Sequence, residues 1–226
     1  MMLRQFHRYN SRWRKWVSIR TSQNREKMCL LLCEEQLTQV SCAVGTKCLL
    51  PCVFSVGSNA AVHWRKSPGE ARVHSFYNNQ DQLQNQHQDY RGRTFVFQSQ
   101  IHRGNASLQL SEVKVQDEGS YLCFTSSNTD CSVSTVYLKV FVDIDEVDLV
   151  KEGSQLVCSS KGIYPEPQIN WSVFSEIKTS VQQREDQLYD INSSITLPSD
   201  VLVHQTSCSV STAHSLRTAL IMEECE

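Results

Sequence analysis

The stretch DEGSYLCF, residues 117–124, constrains the chain more tightly than any other. Asp117, Gly119, Tyr121 and Cys123 stand at alternate positions. A period of two puts them on one face of a strand, with Glu118, Ser120 and Leu122 on the other. A cysteine on an inward face calls for a partner. Upstream, KCLLPC ends at Cys52, and AVHWRK places Trp64 twelve residues later. Short alternating segments recur around them between turn residues, over 47–54, 61–66, 72–77, 94–98, 106–113, 120–125 and 132–142. This is the texture of an all-β protein. No window of comparable length shows helical apolar spacing.

A cysteine, a tryptophan on the next strand and then Asp-x-Gly-x-Tyr-x-Cys together resemble the signature of an immunoglobulin sandwich. That resemblance implies a Cys52–Cys123 bridge across two sheets, Trp64 packed on it, and Tyr121 bonded to backbone at a corner. A bridge closing about 70 residues contributes about 4 kcal/mol in the loop-entropy account. Gly119 permits the turn into the strand, and Asp117 is left needing a cation, for which Arg93 of RTFVF is the expected bidentate partner. The segment 72–90 supplies the extra strands of a variable-type domain.

The same logic returns after VFVDIDEV. Cys158 precedes Trp171 by thirteen residues, with Tyr-Pro-Glu-Pro between them, and Cys208 follows in SCSVSTAHSL. The shorter middle fits a constant-type arrangement with a Cys158–Cys208 bridge. Tyr164-Pro165 is a candidate cis bond, and Thr206 stands where the corner tyrosine is expected. The expected organisation is therefore a disordered N-terminal extension over 1–35, a variable-type sandwich over 36–142 and a constant-type sandwich over 143–226. Cys42, Cys48 and Cys131 stay unassigned by the motif, with Cys42–Cys131 one pairing open to them; Cys29, Cys33 and Cys225 are likewise unassigned.

LPC, DEGSYLC and YPEPQINW in this tandem resemble the butyrophilin and B7 family of immune costimulatory ligands. HWRKSPGEARVHSFYNNQDQLQ, followed by YRGRTFVFQSQIHRGNASLQL, is similar to the family's long-terminal-repeat-associating branch. The resemblance spans roughly residues 45–210. It implies a glycoprotein at the extracellular face of the plasma membrane, or secreted, that regulates T-cell activation by binding a lymphocyte receptor through its outer domain. The rival reading is an immune receptor or adhesion protein that binds through loops. The family also implies a signal peptide and a membrane anchor. Yet the apolar run 29–33 is shorter than the ~7–15 residues of a signal core, and no run approaches the ~20 apolar residues of a span.

Composition sets the compartment and excludes other chemistry. Ten cysteines favour an oxidising environment, and the triplets at Asn105, Asn170 and Asn192 are acceptor patterns for N-glycosylation. Asn105, in the turn RGNAS, is the expected first choice. Net charge is −2, but residues 1–27 hold eight Lys or Arg against one acid, so the acidic excess lies wholly beyond them. That basic run with Trp13 and Trp16 raises nucleic-acid, lipid or transit-peptide readings against the plainer one of a leader before Met28; no nucleic-acid partner is expected. Disulfide cysteines have no thiolate, and no phosphate loop or zinc-protease motif occurs. Cys29-x3-Cys33 and Cys48-x3-Cys52 lack paired ligands at finger spacing. No enzyme, cofactor, metal or small-molecule substrate is expected.

If Trp64 and Cys123 point inward, His63, Arg65, Leu122 and Phe124 project from the outer face of one sheet. His74 and Phe76 are expected to join them from the next strand. An apolar, Arg-bearing patch of this kind is what interfaces favour.

Overall fold

The structure, a computed structural model, describes residues 36–221 apart from 70, 129, 174 and 197–205. The expected disordered extension, and Cys29, Cys33 and Cys225, lie outside the described residues. Two all-β sandwiches follow one another. In the first, β1 (Gln36–Ala43), β9 (Cys131–Phe141), β8 (Gly119–Ser126), β3 (Ala61–Ser67), β4 (Ala71–Tyr77) and β5 (Gln80–Asp81) form one sheet in that order. Strands β2 (Cys48–Leu50), β7 (Leu108–Leu110) and β6 (Thr94–Val96) form the other. The segment at 94–98 is a strand only to Val96, because a short helix, Gln98–Ile101, takes up Gln98.

Alternation dictates what fills the space between the sheets. Val62, Trp64, Tyr121 and Cys123 from the first meet Leu50, Val96, Leu108 and Leu110 from the second, all fully buried. Cys52 and Cys123 are bonded across this core, and the indole N–H of Trp64 donates to the Ala106 carbonyl at 3.0 Å. The Tyr121 hydroxyl donates to the Asp117 carbonyl at 2.7 Å, closing the corner. Gly119 has φ +134°, a conformation that L side chains rarely adopt, at the entry to β8.

The base of this sandwich is fixed by a buried ion pair. Arg93 donates from Nη1 and Nη2 to the two oxygens of Asp117, each at 2.8 Å, with the residues only 8% and 3% exposed. The guanidinium also donates to the carbonyls of Asp89, Ser111 and Glu112, and Asp117 accepts from the Lys114 N–H. Hydrogen bonding to Asp117 raises the Arg93 pKa above its ordinary value. Every polar group of the pair is thus satisfied, the condition under which a buried pair is tolerated.

Cysteine pairing at the edge departs from the open Cys42–Cys131 alternative. Cys42 is bonded to Cys48, tying β1 to β2. The reason lies in register. β1 runs parallel to β9 with Cys42 opposite Val140, nine residues and about 30 Å of strand from Cys131. Strand β1 itself was not among the sequence segments, since QLTQVSCA alternates weakly and is anchored by pairing, not by composition.

The second sandwich is thinner. Strands β10 (Asp148–Glu152), β11 (Gln155–Ile163), β14 (Tyr189–Thr196) and β13 (Ile177–Gln183) face β12 (Gln168–Trp171), β15 (Ser207–Ser211) and β16 (Leu216–Leu220). Cys158 and Cys208 are bonded through a core of Ile144, Ile163, Ile191 and Val210. Trp171 is only half-buried, its N–H donating to the Ser193 hydroxyl at 3.0 Å. Thr206, at the corner-tyrosine position, is fully buried, and among the described residues its hydroxyl has no hydrogen-bond partner.

The two sandwiches meet through a short joint. The Val142 N–H donates to the Tyr164 carbonyl at 2.9 Å, Tyr164 packs against the first core, and Phe141 stacks on His214 at 4.6 Å. Ile144, two residues beyond Val142, is already in the second core. The Tyr164–Pro165 bond is cis. Burial, the nearby Glu118 charge and a hydrogen bond to Glu118 push the Tyr164 pKa up to about 12.

Two outcomes follow from this packing. Asp117→Ala leaves a guanidinium buried without its anion and is expected to cost about 3–5 kcal/mol in chemical denaturation. Arg93→Lys should not restore wild-type stability, because an ammonium cannot reproduce the forked contacts; a fully stable Asp117→Ala protein would refute this role. Tyr164 keeps its proton in the folded chain to about pH 12 against a usual 10.0. Its contribution is therefore complete below pH 10 and lost as pH rises through 12. Tyr164→Phe should flatten the alkaline fall in stability, and the tyrosinate absorbance titration of the native protein should lose its component near pH 12.

Candidate receptor-binding face

The outer face of the six-stranded sheet is set by the parity of the core. Because Trp64 pairs with Cys123 and both point inward, their neighbours His63, Arg65, Leu122 and Phe124 point out. The registers place Arg72, Arg65, Leu122, Thr135 and Leu37 in one row across five strands, and Ser75, His63, Phe124 and Val133 in the next.

His74 and Phe76 do not belong to this face. Phe76 pairs with Val62 and lies in the core, 1% exposed. His74 pairs with Trp64 and is 2% exposed, its ring nitrogens within 2.9 Å of the Thr94 hydroxyl and 3.0 Å of Asp81. The physical reason is twofold. A large aromatic opposite Val62 is drawn to the interior, which gives the outward places to Ser75 and Tyr77. A bulge between Trp64 and Arg65 then leaves Val73 and His74 buried in succession. Ser75, Tyr77, Arg72 and Val133 are thus outer-face residues that strand counting missed. The available signal was FY at 76–77: only one of two adjacent aromatics in a strand turns inward.

Phe124 lies on the outer face but is 7% exposed. Val133 opposes it, Leu122 and Cys131 pack against it, and the Arg65 guanidinium lies 5.6 Å from its ring centroid. Its role is therefore a platform under the face, and Phe124→Ser is expected to disturb packing. The groups that reach solvent include Leu37, Tyr77 and Arg72, with half-exposed His63, Arg65 and Leu122. The His63 ring lies 5.8 Å from Tyr77 and 3.0 Å from the Ser75 hydroxyl. This is an aromatic, cationic, partly apolar surface, the composition that protein interfaces enrich.

On the opposite sheet, Leu49, Gln109 and Phe95 form an outward row, with Leu49 52% and Phe95 50% exposed. Of the acceptor asparagines, Asn170 and Asn192 are exposed on β12 and β14. Asn105 is half-buried; its amide donates to Gln100, its carbonyl accepts from the Ser107 N–H, and Ser107 is itself buried beneath the Cys52 N–H. Among the described residues no three His, Cys, Asp or Glu side chains gather as a metal site, and no helix is long and apolar enough to cross a membrane.

This pair of sandwiches is matched by two family models, the immunoglobulin V-set domain over residues 35–142 and the butyrophilin subfamily 3 member A2-like Ig-C domain over 141–218. The chain belongs to the butyrophilin and B7 group of immunoglobulin-domain proteins. Human HERV-H LTR-associating protein 2 is 36% identical over 128 residues, covering 55% of this chain and 31% of that protein. Mouse butyrophilin-like protein 1 is 30% identical over 187 residues, covering 76% and 36%. Human V-set domain-containing T-cell activation inhibitor 1 is 28% identical over 156 residues, covering 66% and 55%. The chain thus spans about a third of the length of the first two relatives. The crystal structure of bovine butyrophilin shares the fold, with a TM-score of 0.70 and 24% identity over 84% of this chain and 99% of that one.

Occupancy of the acceptor sites is read from the same geometry. Protein made in a mammalian secretory pathway is expected to carry glycan at Asn170 and Asn192 more completely than at Asn105. Site-resolved glycopeptide mass spectrometry checks this, and predominant occupancy of Asn105 would contradict it.

Proposed function

We propose that this protein is an immune ligand that regulates T-cell activation by binding a lymphocyte receptor through the outer face of its variable-type domain. It acts at the extracellular face of the plasma membrane or after secretion. The supporting observation is the row Arg72, Arg65, Leu122 with Tyr77 beside it, a surface of the type that supplies binding hot spots. Its relatives agree in kind: one is named a T-cell activation inhibitor, and the crystal structure of ICOS in complex with ICOS-L and an anti ICOS-L VNAR domain contains a chain of the same fold at a TM-score of 0.66. Catalysis has no part in the proposal, since the six cysteines in the three disulfides have no thiolate to offer.

The test is binding of the purified, multimerised protein to activated lymphocytes. Tyr77→Ala and Arg72→Glu leave the core untouched and should each weaken staining by roughly 10-fold or more, the effect of a loss of about 1.4 kcal/mol or greater. Gln109→Ala, on the opposite sheet, should bind as wild type. Folded Tyr77 and Arg72 variants that both stain normally would overturn the assignment, and loss on substituting the loop residue Asn128 instead would favour recognition through loops.

A further inference from the structure

The three-stranded sheet of the second sandwich, β12, β15 and β16, presents an outer face ordered in rows. Gln168 lies opposite Ser211, and Ser211 opposite Leu216; Asn170 lies opposite Ser209, and Ser209 opposite Thr218. In the next row Ser172 is hydrogen-bonded to Ser207, which lies opposite Leu220. Cys208 and Val210 are buried, so the outward set of the middle strand is Ser207, Ser209 and Ser211. The result is a shallow trough floored by small hydroxyl side chains, with Asn170 on one side and Leu216 and Leu220 on the other. These two leucines are 65% and 64% exposed. We propose that Asn170, in the acceptor triplet Asn-Trp-Ser, carries an N-linked glycan whose inner sugars lie in this trough and cover Leu216 and Leu220.

Reach is the first argument. Adjacent strands lie about 4.8 Å apart, so Thr218 is about 10 Å from Asn170 between Cα atoms, with each leucine about 7 Å further along its strand. An asparagine side chain extended by the paired N-acetylglucosamines of an N-glycan core spans that gap. Chemistry is the second. Each such sugar offers a face of ring C–H groups and an acetamide methyl, and laying them on leucine removes apolar surface from water while the sugar hydroxyls stay wet. The trough floor makes no competing demand, since the Ser209 and Thr218 hydroxyls are bonded to each other at 2.8 Å.

Asn192 supplies the contrast. It lies on β14 opposite Ser159 and Ser180, with Lys178 and Gln182 beside Ser180 on the exposed β13. A glycan there meets polar side chains and extends into solvent. The two acceptor sites therefore differ in what a glycan rests on, and the one at Asn170 takes the outer face of β12, β15 and β16 out of use for protein partners.

Protein secreted from mammalian cells is treated, undenatured, with an Asn-glycanase, and release at Asn170 and Asn192 is followed by site-resolved mass spectrometry. Release at Asn170 is expected to be slower by about 10-fold or more, because cleavage draws on the fraction of glycan lifted off the face. Denaturation should bring the two rates together. In Leu216→Ser/Leu220→Ser, native release at Asn170 should rise toward the rate at Asn192, which stays unchanged. Either single substitution serves the same comparison if the pair is not secreted. An unmodified Asn170, equal native rates in the wild type, a difference that survives denaturation, or slow release that persists in the folded leucine variants overturns the proposal.

Discussion

Everything in the first domain is arranged around the bond between Cys52 and Cys123 and the indole beside it. Trp64 is wholly buried, and its one polar atom is used by the Ala106 carbonyl on the opposite side of the sandwich. A disulfide fixes a Cα separation, here 6.4 Å, and the ring fills the volume that this separation leaves between the sheets. Once these two contacts exist, the parity of β3 and β8 has no freedom left. A slip by one residue would put Cys123 in water and Phe124 in the core. The outer face of the six-stranded sheet is therefore set by the packing of the core behind it.

The parts legible in the sequence are those governed by that parity. Cys52, Trp64, Tyr121 and Cys123, the Arg93–Asp117 pair and the repeated cysteine and tryptophan spacing of the second domain all follow from local pattern and from the few ways two sheets stack. What was not legible depended on register between strands far apart in sequence. The bulge at Trp64 is invisible in HWRKSPGEARVHS, yet it moves His74 indoors and brings Arg72 opposite Arg65. The pairing of Cys42 with Cys48 depends on which neighbour β1 chooses, and a parallel partner nearly a hundred residues away leaves no local signal. Phe124 was placed on the correct face, but its burial comes from neighbours on other strands, Val133 and Arg65, that alternation alone does not weigh.

The two domains solve the same problem with different reserves. The first has a full tyrosine corner, a buried ion pair and two disulfides joining its sheets. The second has Thr206 at the corner-tyrosine position, with a buried hydroxyl unmatched among the described residues, and its tryptophan is only half-covered. Its β13 is exposed along its whole length, with Ile177 and Val181 at the open edge of the sandwich. Cooperative unfolding should then begin in the second domain, since local opening follows the regions with the fewest buried contacts.

That asymmetry matters for a protein proposed to present a surface to another cell. The face lies on the better-packed domain, and the joint beneath it is short: Val142 is bonded to Tyr164 and Ile144 is already in the next core. Tyr164 closes the joint from the other side by reaching Glu118, and the Glu118 carboxylate also accepts from the Val140 N–H at 3.0 Å. Glu118 belongs to the same DEGSYLC run as Cys123, on the opposite face of the chain from the disulfide. One seven-residue stretch therefore supplies the core bridge, the corner and the ion pair with its inward residues, and with its outward ones the domain joint at Glu118 and the apolar centre of the face at Leu122. The tight packing of duties on alternate residues of this run, from the turn at Asp117 into β8, explains why a single stretch carries so much of the architecture.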